Sequence, residues 1–128
     1  MATIATIKPG GTQPESALIA FAETEALEII FETFVNTRKW HNLQQNPHVA
    51  LVIGWDTKRH LTLQYEGEAS PVPESDIEAC RNLLLAKDTP CAETFLNDPR
   101  VRLFKIRPTW IRYSDYTGQA PRIIEIKF

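Results

Sequence analysis

Cysteine is scarce in this sequence: Cys80 and Cys91 are the only two in 128 residues. That is too few for the disulfide framework of a small secreted domain, and neither has the close Cys or His neighbours of a zinc site, so two free thiols are expected. His41, His48 and His60 lack the short spacing of paired metal ligands on a helix, which leaves them as surface or loop residues. Long apolar runs are missing as well. The most apolar stretch, Val49 to Trp55, falls far short of the roughly 20 residues needed to cross a bilayer. The first residues carry no basic segment followed by an apolar one, so a cytoplasmic protein without membrane association is expected. Fourteen Lys and Arg oppose sixteen Asp and Glu for a formal charge of -2. No block of one sign would draw the chain onto a nucleic-acid backbone, and no nucleic-acid partner is expected. Catalytic signatures are also absent: there is no Gly-x-Ser-x-Gly elbow, no paired-histidine metal helix, no Walker loop and no Gly-x-Gly-x-x-Gly after a strand. If the chain is an enzyme, a bound cofactor supplies the reactivity.

What is present is a core-forming composition, 43% hydrophobic and 23% charged, at a length that suits one domain spanning 1–128. ATIATI alternates β-branched residues and runs into the turn KPGGTQP, which predicts an opening hairpin. ESALIAFA and LEIIFETF follow as strands across a short acidic turn, the second with Leu27, Ile29 and Phe31 on one face and Glu28, Ile30 and Glu32 on the other. NTRKWHNLQQNP changes period: Asn36 or Thr37 can cap a short helix that Pro47 closes. HVALVIGWD and HLTLQYEGEA are strands joined through Asp56, and the second alternates Leu61, Leu63 and Tyr65 against Thr62, Gln64 and Glu66. After Pro71 and Pro73, ESDIEACRNLLLAK places Ile77, Cys80 and Leu84 on one helical stripe, with Ser75 or Asp76 near its start. This second helix is expected to lie across a barrel end. DTPCAETFLNDP reads as loop, VRLFKIRPTWIRYSDY as one long strand with a phase change near Pro108, and RIIEIKF as a closing strand. About seven short strands with two short helices favour a mainly β, antiparallel barrel, whose closure would remove exposed edges.

Arg38 and Lys39 stand at the start of the first helix, where the macrodipole disfavours cations unless an anion is bound. The guanidinium fork and the ammonium there suit a phosphate, although both side chains extending into water is the plain alternative. Trp40, Trp55 and Trp110 are core, interface or ligand candidates, and Trp110 is carried both as an interface anchor and as a cofactor contact. Arg107, Arg112 and Arg122 read as a solvated face or as interface ion pairs.

Across nearly the whole chain this order of elements resembles the pyridoxamine 5′-phosphate oxidase-related FMN-binding split barrels. The most specific part is Phe31 and Thr33 on a strand, followed by Thr37-Arg38-Lys39, Asn42-Leu43, Asn46-Pro47 and the hydrophobic strand Val49-Ala50-Leu51. The resemblance implies a split barrel working as a homodimer with FMN at the interface and a small-molecule substrate. It assigns Arg38 and Lys39 to the FMN phosphate and Thr33 to the phosphate or ribityl side. Backbone groups of Ala17, Leu18, Ile19 and Ala20 would lie along the isoalloxazine, and Thr62 and Gln64 would contact the cofactor again.

Several positions depart from the oxidase itself. The chain ends in RIIEIKF, without the arginine and histidine motif that holds the substrate phosphate, so pyridoxamine phosphate oxidation is not expected. The oxidase's glutamine on the fifth strand aligns with Thr62, and its C-terminal flavin-contacting tryptophan falls near Ser114. Met1 lies almost at the first strand, so the helix that commonly precedes it is expected to be missing, leaving one barrel end open or covered by the partner. Three functions remain in competition: a flavin-dependent oxidoreductase, a flavin module that stores or senses without turnover, and a split barrel that holds deazaflavin or haem.

Overall fold

The computed structural model describes residues 1–54, 58, 60–87 and 92–128, so Trp55, the turn through Asp56 and the thiol of Cys91 lie outside the described residues. The strands are β1 (Ala2–Ile7), β2 (Pro14–Ile19), β3 (Ala22–Glu23), β4 (Ile29–Phe34), β5 (His48–Ile53), β6 (Leu61–Pro71), β7 (Val101–Asp115) and β8 (Arg122–Lys127). The helices are α1 (Arg38–Leu43), α2 (Ile77–Leu85) and α3 (Ala92–Leu96). The strands form one antiparallel sheet in the order β2-β1-β5-β6-β7-β4-β3, with β8 pairing with the C-terminal half of β7, from Trp110 to Asp115, beyond the part that β4 pairs. β2 and β3, the two ends of this path, are separated in the chain only by Ala20 and Phe21. One stretch of chain thus pairs first with β1 and then with β4, which curls the sheet into a split barrel. Among the described residues β2, β3 and β8 each keep a free edge, so closure does not remove all edges as expected.

Alternation drives the packing. Along β1 every second side chain is buried, placing Ala2 and Ile4 inside with Ile19, Phe31, Leu51, Tyr65 and Phe104. Phe31 and Phe104 stack at 5.6 Å, and the edge of Trp40 meets Phe104 at 5.8 Å, offset and edge-on contacts worth about 0.5–1.5 kcal/mol each beyond area. β4 is buried on both faces. Ile29 and Phe31 face the barrel, while Ile30 joins Cys80, Leu84, Leu96 and Leu103 in a second cluster beneath α2 and α3. The β1–β2 hairpin turns through Gly10 and Gly11 at φ 98° and 88°, a conformation that glycine adopts without steric cost.

The phase change read at Pro108 is a bulge: Glu66 pairs with Trp110 and Gly67 with Pro108, leaving Thr109 as the extra residue. A Cβ on Gly67 would stand 2.4 Å from the Arg107 carbonyl, so the close approach of β6 and β7 there needs glycine.

Three sequence expectations are corrected. Leu27 does not share the inward face of Ile29 and Phe31: it sits in the β3–β4 turn at φ 62°, exposed, with its carbonyl accepting from the Tyr65 hydroxyl at 3.1 Å. That hydroxyl also reaches the Ile106 carbonyl at 3.0 Å, and this shared bond holds the turn down. Ile77, the first residue of α2, is exposed and lies outside the cluster that Cys80 and Leu84 join, because the apolar neighbours of that cluster meet α2 only from its second turn onward. Finally, part of the stretch read as loop is helical, as α3, which packs against α2 and buries Leu96. No helix among the described residues is long and apolar enough to cross a membrane.

Candidate functional site

Of the residues singled out in the sequence, Thr33, Arg38 and Lys39 come together where β4 hands over to α1. Thr37 is the N-cap of α1, in extended conformation, and its Oγ1 accepts from the Trp40 amide at 3.2 Å. The same hydroxyl lies 2.9 Å from the Phe34 carbonyl and 2.9 Å from the Thr33 hydroxyl. Its proton goes to the carbonyl, which makes Thr33 the donor to Thr37. This short chain of bonds fixes the direction in which Arg38 and Lys39 leave the barrel.

The two cations have different surroundings. Arg38 is largely exposed, at 77% of its side chain, and its Nη1 donates to Glu15 Oε1 at 3.0 Å. Glu15 is much less accessible, at 14%. Its other oxygen accepts from Asn42 Nδ2 at 3.0 Å, and that amide also donates to the Thr6 hydroxyl at 2.9 Å. Asn42 is buried, so Glu15 is held by the barrel wall and not merely tethered at the surface. The hydrogen bond from Asn42, followed by the charges of Arg38 and Lys8, holds the Glu15 carboxyl below its ordinary range. Lys39 lies over the Phe31 ring at 5.5 Å from its centroid. Burial pushes the Lys39 ammonium down, and the charge of Glu32 partly restores it. Glu32 is pushed up, chiefly by burial. Arg38 is therefore paired with Glu15, and Glu32 is the carboxylate whose charge acts on Lys39.

The remaining predicted residues lie elsewhere in the barrel. Ala17 and Ile19 of β2 face the core, Leu18 faces outward and is exposed, and Ala20 follows the strand. One edge of β2 is free among the described residues, leaving backbone groups available on it. Leu18 pairs with Thr3, Thr3 with Val52 and Val52 with Gln64, so Leu18 and Gln64 occupy one row of the outer face. They stand three strand spacings apart, about 14 Å. Thr62 lies two residues from Gln64 on the same face. Trp110 lines a shallow groove there with Ala5, Ala50, Gln64 and Glu66. The candidate residues thus divide between the rim, with Thr33, Arg38 and Lys39, and the outer sheet face, with Thr62, Gln64 and Trp110. Trp40 instead packs inward and lines a recess of about 270 Å³ with Arg81 and Arg102. Arg107 pairs with Glu68 and Arg112 with Glu125 within the chain.

The sequence reading missed Glu15. A signal existed: Glu15 is in phase with Ala17 and Ile19, the inward positions of β2, and a carboxylate at such a position calls for a partner. Its partners are 23 and 27 residues away, beyond the reach of any local pattern.

Comparison with known proteins places this geometry in context. The sequence profile described as "Pyridoxamine 5'-phosphate oxidase" matches residues 1–115. No curated protein matches. Among solved structures, a heme binding protein from Mycobacterium smegmatis superposes with a TM-score of 0.81 at 15% identity, over 98% of this chain and 52% of that one. ChuZ from Campylobacter jejuni gives 0.80 at 14% identity, over 98% and 53%. A pyridoxamine 5′-phosphate oxidase-related, FMN binding protein from Nostoc punctiforme gives 0.74 at 12% identity, over 99% and 86%. The chain therefore spans about half the length of the Mycobacterium and Campylobacter proteins. At these identities the likeness is one of fold.

Proposed function

Because the chain belongs to the pyridoxamine 5′-phosphate oxidase family, we propose that it is an FMN-binding flavoprotein working as a homodimer, with oxidoreductase chemistry on a small substrate. The observation that carries this reading is that Arg38 and Lys39 open α1 directly after Thr37, the N-cap whose hydroxyl meets that of Thr33 at 2.9 Å. The donor set fits a phosphate through the guanidinium donors beyond the one given to Glu15 and the ammonium, while the Thr33 and Thr37 hydroxyl protons are given to Thr37 and to the Phe34 carbonyl. Glu15 and Glu32 oppose the anion without filling the rim, so the fit is retained at reduced strength.

A bound flavin would supply the electron transfer that no side chain here provides. The chain's own contribution is to hold and orient. Arg38 and Lys39 anchor the phosphate, Thr33 sits beside it, and the free edge of β2 along Ala17, Leu18, Ile19 and Ala20 offers backbone groups to the ring system. Thr62, Gln64 and Trp110 lie too far around the barrel to join that set within one chain. In a two-fold dimer they would reach the partner's cofactor, which is the reason the dimer belongs to this reading.

A second reading, a haem-holding barrel, is favoured by the fold likeness to the Mycobacterium heme binding protein. One measurement separates the two. The visible spectrum of the protein titrated with FMN, and separately with haemin, shows which pigment is bound at a saturable stoichiometry. Saturable FMN binding followed by reduction with a nicotinamide or a chemical reductant supports the flavoprotein reading. Stoichiometric haem binding with no flavin binding would replace it.

A further inference from the structure

We infer that Glu15 is an intramolecular competitor for the phosphate at Arg38, so that it sets how strongly this chain prefers FMN to unphosphorylated riboflavin. The inference rests on the FMN reading above and concerns the specificity of that same site.

The geometry gives three reasons. First, Glu15 Oε1 already occupies Arg38 Nη1 at 3.0 Å. A phosphate taking the remaining donors of the same guanidinium would be held within a few ångströms of the carboxylate, well inside the roughly 8–10 Å over which physiological salt screens charges. Either Arg38 leaves Glu15 or two anions share one cation, and both outcomes lower phosphate affinity. Second, Glu15 cannot easily turn away. Its second oxygen is held by Asn42 Nδ2, and Asn42 is buried and tied to Thr6. An ordinary surface carboxylate would swing into water, whereas this one is fixed beside the cation. Third, Lys39 offers little compensation, because it lies against Phe31 with Glu32 as its charged neighbour. By linkage, whatever the Arg38–Glu15 contact contributes in the free protein is subtracted from phosphate binding, and a bound phosphate weakens that contact equally. Riboflavin has no phosphate and does not enter this exchange.

The test compares dissociation constants of FMN and of riboflavin, from quenching of flavin fluorescence, for wild type, Glu15→Gln, Glu15→Ala and Glu15→Gln combined with Arg38→Ala. The Glu15→Gln side chain retains an oxygen to accept from Asn42, and thermal melting together with the riboflavin constant reports whether each variant is folded. FMN should bind Glu15→Gln at least about fivefold more tightly, a gain at the upper end of what one ion pair contributes. Riboflavin affinity should change less than about twofold. The FMN gain should vanish when Arg38 is also replaced. An unchanged or reduced FMN-to-riboflavin preference in both Glu15 variants would overturn the inference while leaving the flavoprotein reading intact. Failure of both flavins to bind any of the four folded proteins would overturn the two together.

Discussion

The hydroxyls of Thr33 and Thr37 meet at 2.9 Å, joining the buried end of β4 to the cap of α1. Thr37 accepts from Thr33 and from the Trp40 amide while donating to the Phe34 carbonyl, so one small side chain ends a strand, starts a helix and aims the two cations that follow. Thr37→Ala removes all three bonds and should destabilise the fold by about 1–2 kcal/mol, the upper part of the range for helix caps. Thr37→Ser should recover most of this. Urea unfolding followed by tryptophan fluorescence measures both.

Replacing Arg38 and Lys39 together by Ala should weaken FMN binding by about tenfold or more, roughly 1.4 kcal/mol. Riboflavin binding should change much less, because the lost donors are assigned to the phosphate. Titration of both flavins decides the matter. Equal FMN affinity in the double variant and wild type would remove these residues from the site.

Burial raises the Glu32 carboxyl above its reference value of 4.5. The folded chain therefore holds this proton to higher pH than the unfolded chain does. The contribution of Glu32 to stability is most favourable at acid pH and is lost as pH rises from the reference value through the raised one. Glu32→Gln cannot lose a proton, so relative to wild type it should gain stability as pH rises above the reference value of 4.5. Chemical unfolding at a series of pH values checks the sign. A relative loss above that value would mean that the attraction of Lys39 outweighs desolvation.

Every residue of β8 is exposed, and Ile123, Ile124 and Ile126 leave 41–45% of their surface in solvent. Such a strip beside Trp110 suits a two-fold contact. Sedimentation at micromolar concentration should give a dimer. Ile124→Glu combined with Ile126→Glu should give a folded monomer, since neither residue belongs to the core. A wild-type monomer that still binds flavin would contradict the interface.

Much of the barrel was legible because half-buried strands print their alternation on the sequence. The pattern of β1 and the Pro108 disturbance in β7 correspond to a strand buried at every second residue and to a bulge. α1 was legible through its cap, Thr37, although it ends at Leu43, well before Pro47, which was expected to close it. Leu27 was misread because an apolar residue adjoining a strand looks like its continuation, whereas here its carbonyl, and not its side chain, serves the core. α3 escaped because five residues with one buried leucine are too few to show a helical period. At the site, the cations could be found from their place beside a cap. The carboxylate partner of Arg38 could not be paired with it from local pattern, since Glu15 meets Arg38 only after β1, β2 and α1 have assembled.

The junction at Ala20 and Phe21 bears on how the chain reaches its native state. Because β2 and β3 are continuous, the hairpin β1–β2 forms locally, but the barrel is complete only when β4 finds β7, whose paired residues run from Ile29↔Ile106 to Phe34↔Val101. That pairing closes a loop containing α1, β5, β6, α2 and α3, and its entropic toll falls before any of its contacts are made. Folding should be governed by this distant encounter, on the millisecond-to-second scale of high-contact-order β proteins. Substitutions along the β4–β7 seam and in the early-forming β1–β2 turn should slow folding, whereas those in parts that order only after this encounter should act mainly on unfolding.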